Sequence, residues 1–220
     1  MVQPLIRCSW CWVDPLYVEY HDTEWGISVH DDRILFEFLT LEWAQAGLSW
    51  IIVLRKREKY RELFHDWDIE KIANMKDEAL ENILLDPGIV RNRLKIYSVR
   101  KNAIAALQIQ REFWSLDEYF WNFDSCHREE RSDPEKQKAI PINDWIASLA
   151  RNDGHRIIFP IINHPQSLGD FVAESEISKN ISKDLKKRWM SFVGSTIIYA
   201  WMQAVGMVDD HMDTCFRKNN

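Results

Sequence analysis

The stretch LKKRWMSFVGSTIIYAWMQAVGM, residues 185–207, combines a basic helix end, an apolar turn that contains Gly194 and a long apolar helix that starts at Ser195. A glycine turn that opens a helix exposes main-chain N–H groups, which suit a phosphate, and the cations at 186–188 add positive charge beside it. Ordinary αα-hairpins have the same pattern. The stretch therefore predicts two packed helices and leaves open whether their turn binds an anion.

The run 189–208 within this stretch carries no charged side chain, so a membrane anchor has to be considered. Its serines, glycines, threonine and glutamine give it only modest hydropathy for a membrane span, which favours a buried hairpin and helix. The N-terminal residues lack the apolar region of a signal peptide, and Arg7 interrupts them. With four cysteines and no expected secretory signal, the chain is predicted to be a cytoplasmic protein in which clustered Cys and His indicate a metal more than disulfides.

Helical periodicity continues through most of the chain. Asp14 and Pro15 predict the start of a short helix, and Asp31 or Asp32 is expected to cap a second helix that ends at Gly47. Further helices are predicted over 49–65, 68–75, 76–86 and 91–113. Residues 124–168 are first charged and then irregular, and no convincing strand pattern is present. The predicted fold class is all-α.

Composition limits the kinds of partner. The net charge of −6 excludes a general polyanion binder, so any nucleic-acid surface must be a local patch. A second basic strip at 91–102 could border a phosphate backbone or be a solvated helix face, and the latter is slightly favoured. Eleven tryptophans favour a folded protein with large buried rings, some of which can line a site.

Two Cys and His pairs lie near opposite ends of the chain. His211 and Cys215 have the i, i+4 spacing that places both side chains on one face of a helical turn, while Cys8 and His21 lie near the N-terminus. Two Cys and two His form the closed tetrahedral set that structural zinc uses. On spacing alone Cys11 rivals Cys8, and two buried thiols with two surface histidines remain an alternative.

Glu42 shares the apolar face of the second predicted helix with Leu35, Phe38 and Leu39. An unpaired carboxylate is costly to bury there. With aromatic residues such as Trp50 nearby, this acid could receive a flat ligand that carries positive charge or hydrogen-bond donors. Alternatively, it is a structural glutamate that caps a helix or pairs with an arginine.

Taken together, these residues resemble the DNA-3-methyladenine glycosylase I family of small helix-hairpin-helix base-excision enzymes. The resemblance covers roughly residues 7–115 and 177–215. It rests on the strings RCSW, DPLYVEYHDTEWG, LTLEWAQAGLSWIIVLRKREKY, DPGIVRNRLKI, SFVGSTIIYAWMQAVGMVDDH and the terminal His-x-x-x-Cys.

The resemblance implies a monomeric, monofunctional DNA repair glycosylase in one domain, residues 1–220, with a longer insertion than usual at 124–168. Such an enzyme flips 3-methyladenine out of double-stranded DNA, hydrolyses its N-glycosidic bond and leaves an abasic site and free 3-methyladenine. No lyase activity is expected. The rival interpretation is a zinc-clasped DNA-binding module without glycosylase activity.

The resemblance also implies roles for particular residues. The zinc ligands that clasp the two ends of the chain would be Cys8, His21, His211 and Cys215. The acid that binds the methylated base would be Glu42, within a pocket made by Tyr20, Trp50, Trp10 and Trp25. The DNA contacts would be a wedge at Gly47 and Leu48 and a phosphate anchor at Lys187, Val193, Gly194 and Ser195.

Departures from the family pattern concern two tryptophans. Trp43 follows the pocket acid where a small residue is common, and it could narrow the pocket. Trp189 stands where glycine is common, so the first part of the hairpin is expected to differ from the usual one. Asp209 and Asp210 are interpreted as local supports for His211 and not as catalytic acids.

Overall fold

The computed structural model describes residues 5–123 and 159–218. Within them lie ten α-helices, which are α1 Pro15–Thr23, α2 Asp32–Ala44, α3 Trp50–Leu54, α4 Arg57–Leu63, α5 Ile69–Ala73, α6 Asp77–Leu85, α7 Arg93–Phe113, α8 Leu116–Trp121, α9 Glu176–Lys187 and α10 Ser195–Ala204. Three short 3₁₀ helices span Ser9–Val13, His65–Trp67 and Leu168–Asp170. Two strands, β1 Ile161–Ile162 and β2 Val208–Asp209, pair in parallel.

The predicted helix starts are confirmed by their caps. The Asp14 side chain accepts a hydrogen bond from the main-chain N–H of Leu16 at the start of α1, with Pro15 as the first helical residue. Asp31 caps α2 by accepting from Arg33 and Ile34 N–H groups. Each cap satisfies N–H groups that have no partner inside the helix.

Three features differ from the sequence prediction. The single helix predicted over 49–65 is two helices, α3 and α4, and the break lets the Arg57 side chain turn inward to the buried Glu37. Helix α8 was not predicted, because its six residues are too few to show a clear period. The parallel strand pair makes the fold mostly helical instead of purely helical, and two residues per strand cannot show alternation.

Helix α2 is the central helix of the core. All of its residues from Leu35 to Ala44 are buried, because α7, α8 and α10 pack around it. The Trp201 indole N–H of α10 donates to the main-chain oxygen of Leu35 at 3.1 Å, which fixes the crossing of these two helices. Any polar residue on α2 that reaches a cavity is therefore held on a rigid support.

The turn between α9 and α10 is built on a left-handed tryptophan. Trp189 has a φ of +67°, while the Met190 and Trp189 N–H groups bond to the carbonyls of Leu185 and Lys186. This is the Schellman arrangement, whose left-handed position favours glycine. Asn102 of α7 anchors the turn through two hydrogen bonds to the main chain of Ser191.

None of the helices in residues 5–123 and 159–218 combines the length and apolar character needed to cross a bilayer. The charged loop predicted at 125–138 lies outside the described residues. So does most of the segment 124–168, whose described end carries β1.

Candidate active site and metal centre

A pocket of about 190 Å³ opens between α1, α2, α3 and α10. Its walls carry one carboxylate, two carboxamides and a majority of aromatic rings. The lining residues are Trp10, Tyr17, Tyr20, Trp25, Glu42, Gln45, Trp50, Phe171, Ala200 and Gln203. The five residues proposed for base binding all line this one pocket.

Glu42 is the acidic residue of the pocket wall. The side chain is buried, at 8% exposure, and within residues 5–123 and 159–218 its carboxylate has no hydrogen-bond or ion-pair partner. Burial raises the pKa of Glu42 to about 8. An acid held in this way favours a ligand that brings positive charge or N–H donors, because either stabilises the ionised form.

Glu37, on the same helix, shows what a structural buried acid looks like. Its carboxylate accepts hydrogen bonds from the guanidinium groups of Arg57 and Arg61, at 2.7 and 2.8 Å. The arginine-paired alternative considered for Glu42 therefore describes Glu37. The carboxylate oxygens of Glu42 remain available to a ligand in the pocket.

Aromatic rings make the pocket walls rigid. Trp10 and Trp25 meet edge to face with centroids 4.9 Å apart, and the centroids of Tyr20 and Trp50 are 5.4 Å apart. Burial and then the nearby charge of Glu42 raise the pKa of Tyr17 to about 12, so this phenol stays protonated. Flat, apolar walls with a single acid suit a planar cation.

Five lining residues were not assigned to the pocket from the sequence, namely Tyr17, Gln45, Phe171, Ala200 and Gln203. Tyr17 precedes Tyr20 by three residues on α1, so helical spacing from Tyr20 could have identified it. Phe171 follows an irregular segment, and no periodic signal points to it.

The four expected metal ligands meet in one buried cluster. The ligand atoms of Cys8, His21, His211 and Cys215 all lie within 4.8 Å of one another. His211 Nδ1 lies 3.6 Å from the sulfur atoms of both Cys8 and Cys215, and His21 Nε2 lies 3.4 Å from Cys215 Sγ. Cys11 is outside this set, since its thiol donates to the Cys8 carbonyl.

These distances fit a tetrahedral ion. Ligands at the usual Zn–S distance of about 2.3 Å and Zn–N distance of about 2.0 Å are roughly 3.5 Å apart in a tetrahedron. The two sulfurs share a hydrogen bond, which raises the pKa of Cys8 and lowers that of Cys215. A cation would favour thiolates at both positions.

Second-layer contacts orient the two histidines. His21 Nδ1 lies 2.8 Å from Asp22 Oδ1, and Asp22 is held by Arg7. His211 Nε2 lies 3.2 Å from the main-chain oxygen of Trp25. Such contacts fix which ring nitrogen faces a metal.

Gly26, which follows Trp25, lies where only a glycine fits. Its φ is +79°, and a Cβ there would lie 2.8 Å from His211 Nε2. The string from Tyr20 to Gly26 therefore serves two sites at once. It supplies two pocket walls and brings the chain against the candidate metal ligand His211.

The proposed wedge is the turn between α2 and α3. Gly47 has a φ of +82°, and Leu48 is 38% exposed, between the lining residues Gln45 and Trp50. The ammonium of Lys95 donates to the carbonyls of Ala44 and Ala46, which fixes the end of α2 under this turn.

The proposed phosphate anchor has free main-chain donors. In the part of the chain that the structure describes, the N–H groups of Val193, Gly194 and Ser195 have no hydrogen-bond partner. The Ser195 hydroxyl is not available, because it donates to Glu174. Lys187 is exposed at the end of α9.

The structure shows what Trp43, Asp209 and Asp210 contact. Trp43 is fully buried and stacks on Phe192 of the α9–α10 turn, at 5.5 Å between centroids, so it does not line the pocket. Asp209 accepts from the His211 main-chain N–H, as expected. Asp210 instead accepts from Tyr199 and Gln203, so it stabilises side chains of α10 and not His211.

The basic strip at 91–102 is largely engaged within the protein. Arg93 pairs with Glu81 and Arg100 with Asp77, both on α6. Lys101 donates to Ser191 in the α9–α10 turn. The strip is therefore mainly a structural helix face.

Comparison with known proteins gives consistent matches. The family described as Methyladenine glycosylase matches residues 10–158 and 155–218. The chain is 38% identical to DNA-3-methyladenine glycosylase 1 of Escherichia coli (strain K12) over 209 residues, 95% of each chain. A crystal structure of 3-methyladenine DNA glycosylase I matches with a TM-score of 0.78 and 38% identity, covering 97% of this chain and 100% of that one. A variant of 3-methyladenine DNA glycosylase I in complex with 3-methyladenine matches with a TM-score of 0.78 and 26% identity, covering 97% and 98%.

Proposed function

Since the chain belongs to the methyladenine glycosylase family, we propose that its aromatic pocket takes 3-methyladenine flipped out of alkylated DNA. The enzyme is a DNA repair glycosylase that hydrolyses the N-glycosidic bond and leaves an abasic site. The observation that carries this assignment is the buried, unpaired carboxylate of Glu42 among the aromatic walls.

Glu42 supplies selectivity through charge. Methylation at N3 makes the adenine of the lesion cationic, so the base departs as a neutral molecule and needs little help from a proton donor. The ionised Glu42 is stabilised by this cation, and Trp50 and Tyr20 pack against its ring. A base that brings neither positive charge nor suitably placed N–H donors gives the buried carboxylate no compensation for its lost hydration.

The pocket residues also support a monofunctional enzyme. The described residues that line the pocket include no lysine, so there is no amine nucleophile to attack C1′. Water is the expected nucleophile. The walls position the flipped nucleotide and leave its sugar towards the pocket opening.

Double-stranded DNA is the proposed substrate, bound in helix-hairpin-helix fashion. The main-chain N–H groups of Val193 and Gly194 at the start of α10 would hold a phosphate, with Lys187 adding charge. Leu48, exposed beside the pocket, would fill the space that the flipped nucleotide leaves.

Zinc is the proposed occupant of the Cys8, His21, His211 and Cys215 cluster. With four protein ligands its shell is closed, so the ion supplies structural stability and no open position for catalysis. The residues around it orient the ligands through Asp22 and the Trp25 carbonyl. The clasp keeps the pocket wall at Trp25 in place.

We further propose a monomeric, single-domain enzyme of the cytoplasm. Relatives match the chain along 95% of its length, which supports one catalytic domain. The described cysteines Cys8, Cys11 and Cys215 are free thiols, which suits a reducing compartment.

The test is release of free base from DNA treated with a methylating agent. The zinc-loaded protein is expected to release 3-methyladenine and to leave uracil and hypoxanthine in matched duplexes. A protein that binds DNA and retains its metal but releases no base would support the rival DNA-binding module. Release of neutral lesions at comparable rates would contradict the role assigned to Glu42.

A further inference from the structure

The carboxamide of Gln203 is the one polar pocket group, among the described residues, whose orientation is set by a buried acid. Its Nε2 donates to Asp210 Oδ2 at 2.6 Å. A carboxylate only accepts, so the amide nitrogen must face Asp210 and Oε1 must face away from it. Gln45, the other pocket carboxamide, has no side-chain partner in the described residues.

Asp210 is itself held firmly. It is buried, at 3% exposure, and it accepts from the Tyr199 hydroxyl at 2.8 Å and from Asn163 Nδ2 at 2.7 Å. The β1–β2 pair brings Asn163 to this position, because its N–H bonds to the carbonyl of Asp209. Three donors, one of them Gln203 itself, thus converge on one carboxylate, which can only accept.

We infer that Gln203, oriented by Asp210, is a specificity-determining residue that presents Oε1 to the exocyclic amino group of the bound base. Within the described chain Gln203 Oε1 has no hydrogen-bond partner, and the residue lines the pocket. The inference rests on the proposed function and adds a second criterion to it. Glu42 selects for positive charge, and Gln203 selects an amino group over a carbonyl group at the 6-position of a purine.

The selection has a simple physical origin. An amino group donates to Oε1, whereas a 6-oxo group places a second acceptor against it and leaves both oxygens without a hydrogen in a desolvated site. A mismatch of this kind is expected to cost about tenfold or more in affinity. Without Asp210 the carboxamide is free to rotate and present its N–H group, which would remove the preference.

The test measures affinities of the zinc-loaded protein for free 3-methyladenine and for 3-methylhypoxanthine, its 6-oxo analogue. Wild type is expected to prefer 3-methyladenine by at least about tenfold. Asp210→Asn should narrow this ratio by about tenfold, mainly through better binding of the 6-oxo base. Gln203→Met, which keeps the side-chain length but removes the acceptor, should narrow it through weaker binding of 3-methyladenine.

Asp209→Asn is the matched control. Asp209 is also close to His211, but it contacts the His211 main chain and Lys218 instead of Gln203. The ratio of the two base affinities in Asp209→Asn should therefore stay at the wild-type value. Metal content and thermal unfolding of each variant show whether it folds. If Asp210→Asn has a folding defect, the result for Gln203→Met decides the question.

An equal loss of affinity for both bases in folded Asp210→Asn and Gln203→Met would overturn the inference and leave the proposed function standing. Failure of the wild-type protein to bind 3-methyladenine would refute the proposed function and the inference with it.

Discussion

Two glutamates on α2 are both buried, yet within residues 5–123 and 159–218 only Glu37 has cationic partners. Glu37 accepts from Arg57 and Arg61, while Glu42 faces an aromatic pocket. Burying an uncompensated acid destabilises a protein, so such an acid is retained where function requires it. The contrast within one helix is the residue-scale basis of the functional assignment.

This contrast predicts a stability gain from Glu42→Gln. Below about pH 4.5 the carboxyl group is protonated in both the folded and unfolded states, so the variant should resemble wild type. As pH rises, the unfolded chain releases its proton near 4.5 while the folded protein keeps it until about 8. Wild type therefore loses stability across this window, and the variant should be more stable by roughly 2 to 4 kcal/mol at pH 8.

Urea unfolding of both proteins between pH 4 and pH 8 checks this prediction. A difference that does not change with pH would mean that Glu42 is not held as an uncompensated acid.

Trp189 gives a second prediction at the residue scale. Its φ of +67° lies in the left-handed region, and the side chain is 75% exposed, so its ring gains little from burial. Trp189→Gly should be more stable than Trp189→Ala by about 1 kcal/mol, since only the latter keeps a Cβ at this position. Equal unfolding free energies for the two variants would show that the turn carries no backbone strain.

At the scale of elements, caps were predictable and helix breaks were not. Asp14 and Asp31 mark helix starts through a local hydrogen bond that the sequence alone can indicate. The break between α3 and α4 accompanies the hydrogen bond of Arg57 to Glu37, a contact between residues that are distant in sequence. The β1–β2 pair likewise depends on long-range register and gives no local signal.

The α2–α3 turn carries an element-scale prediction. Leu48→Gly should weaken binding to a duplex that contains a damaged base while leaving affinity for free 3-methyladenine unchanged, because Leu48 is exposed and is not among the residues that line the pocket. Ile52→Gly is unsuitable as a control because glycine would weaken α3, whereas Leu94→Ala removes another exposed leucine, on α7. Parallel loss of both affinities in Leu48→Gly would show that Leu48 supports the pocket and does not act as a wedge.

At the scale of the whole molecule, the cluster of two Cys and two His side chains joins residues about 200 positions apart. Cys8 and His211, which are 203 positions apart, lie 3.6 Å from each other through Sγ and Nδ1. Closing so long a loop restricts the unfolded chain, and bound metal adds its binding free energy to folding. The sequence supplied the ligand types, and the family resemblance was needed to pair them, because spacing alone left Cys11 as a rival.

Cys215→Ala is therefore expected to lower the melting temperature much more than Cys11→Ala, although both thiols are buried. Removing a ligand abolishes the clasp, whereas removing Cys11 costs only local packing. Metal content per chain and thermal unfolding check this. Stoichiometric metal in a Cys8→Ala/Cys215→Ala double variant would refute the ligand assignment.

The pocket itself was predictable only in part at this scale. Helical spacing indicated Glu42, and the resemblance supplied its aromatic neighbours, but Phe171 and Gln203 reach the pocket through the packing of distant segments. Gln203 lies in an apolar run, where it is recognisable in the sequence only as a residue that lowers the hydropathy of the run. Its role depends on Asp210, which the sequence suggested as a support for His211 instead.

The most direct test of the account is single-turnover excision of 3-methyladenine from a duplex by wild type and Glu42→Gln. The variant keeps the shape of the side chain and removes its charge. We expect its excision rate and its affinity for 3-methyladenine to fall together, the affinity by about 1 to 3 kcal/mol for one charge-assisted contact, while the fold and metal content are retained. Near-normal excision by a folded, metal-loaded Glu42→Gln protein would contradict the claim that this buried carboxylate recognises the cationic base.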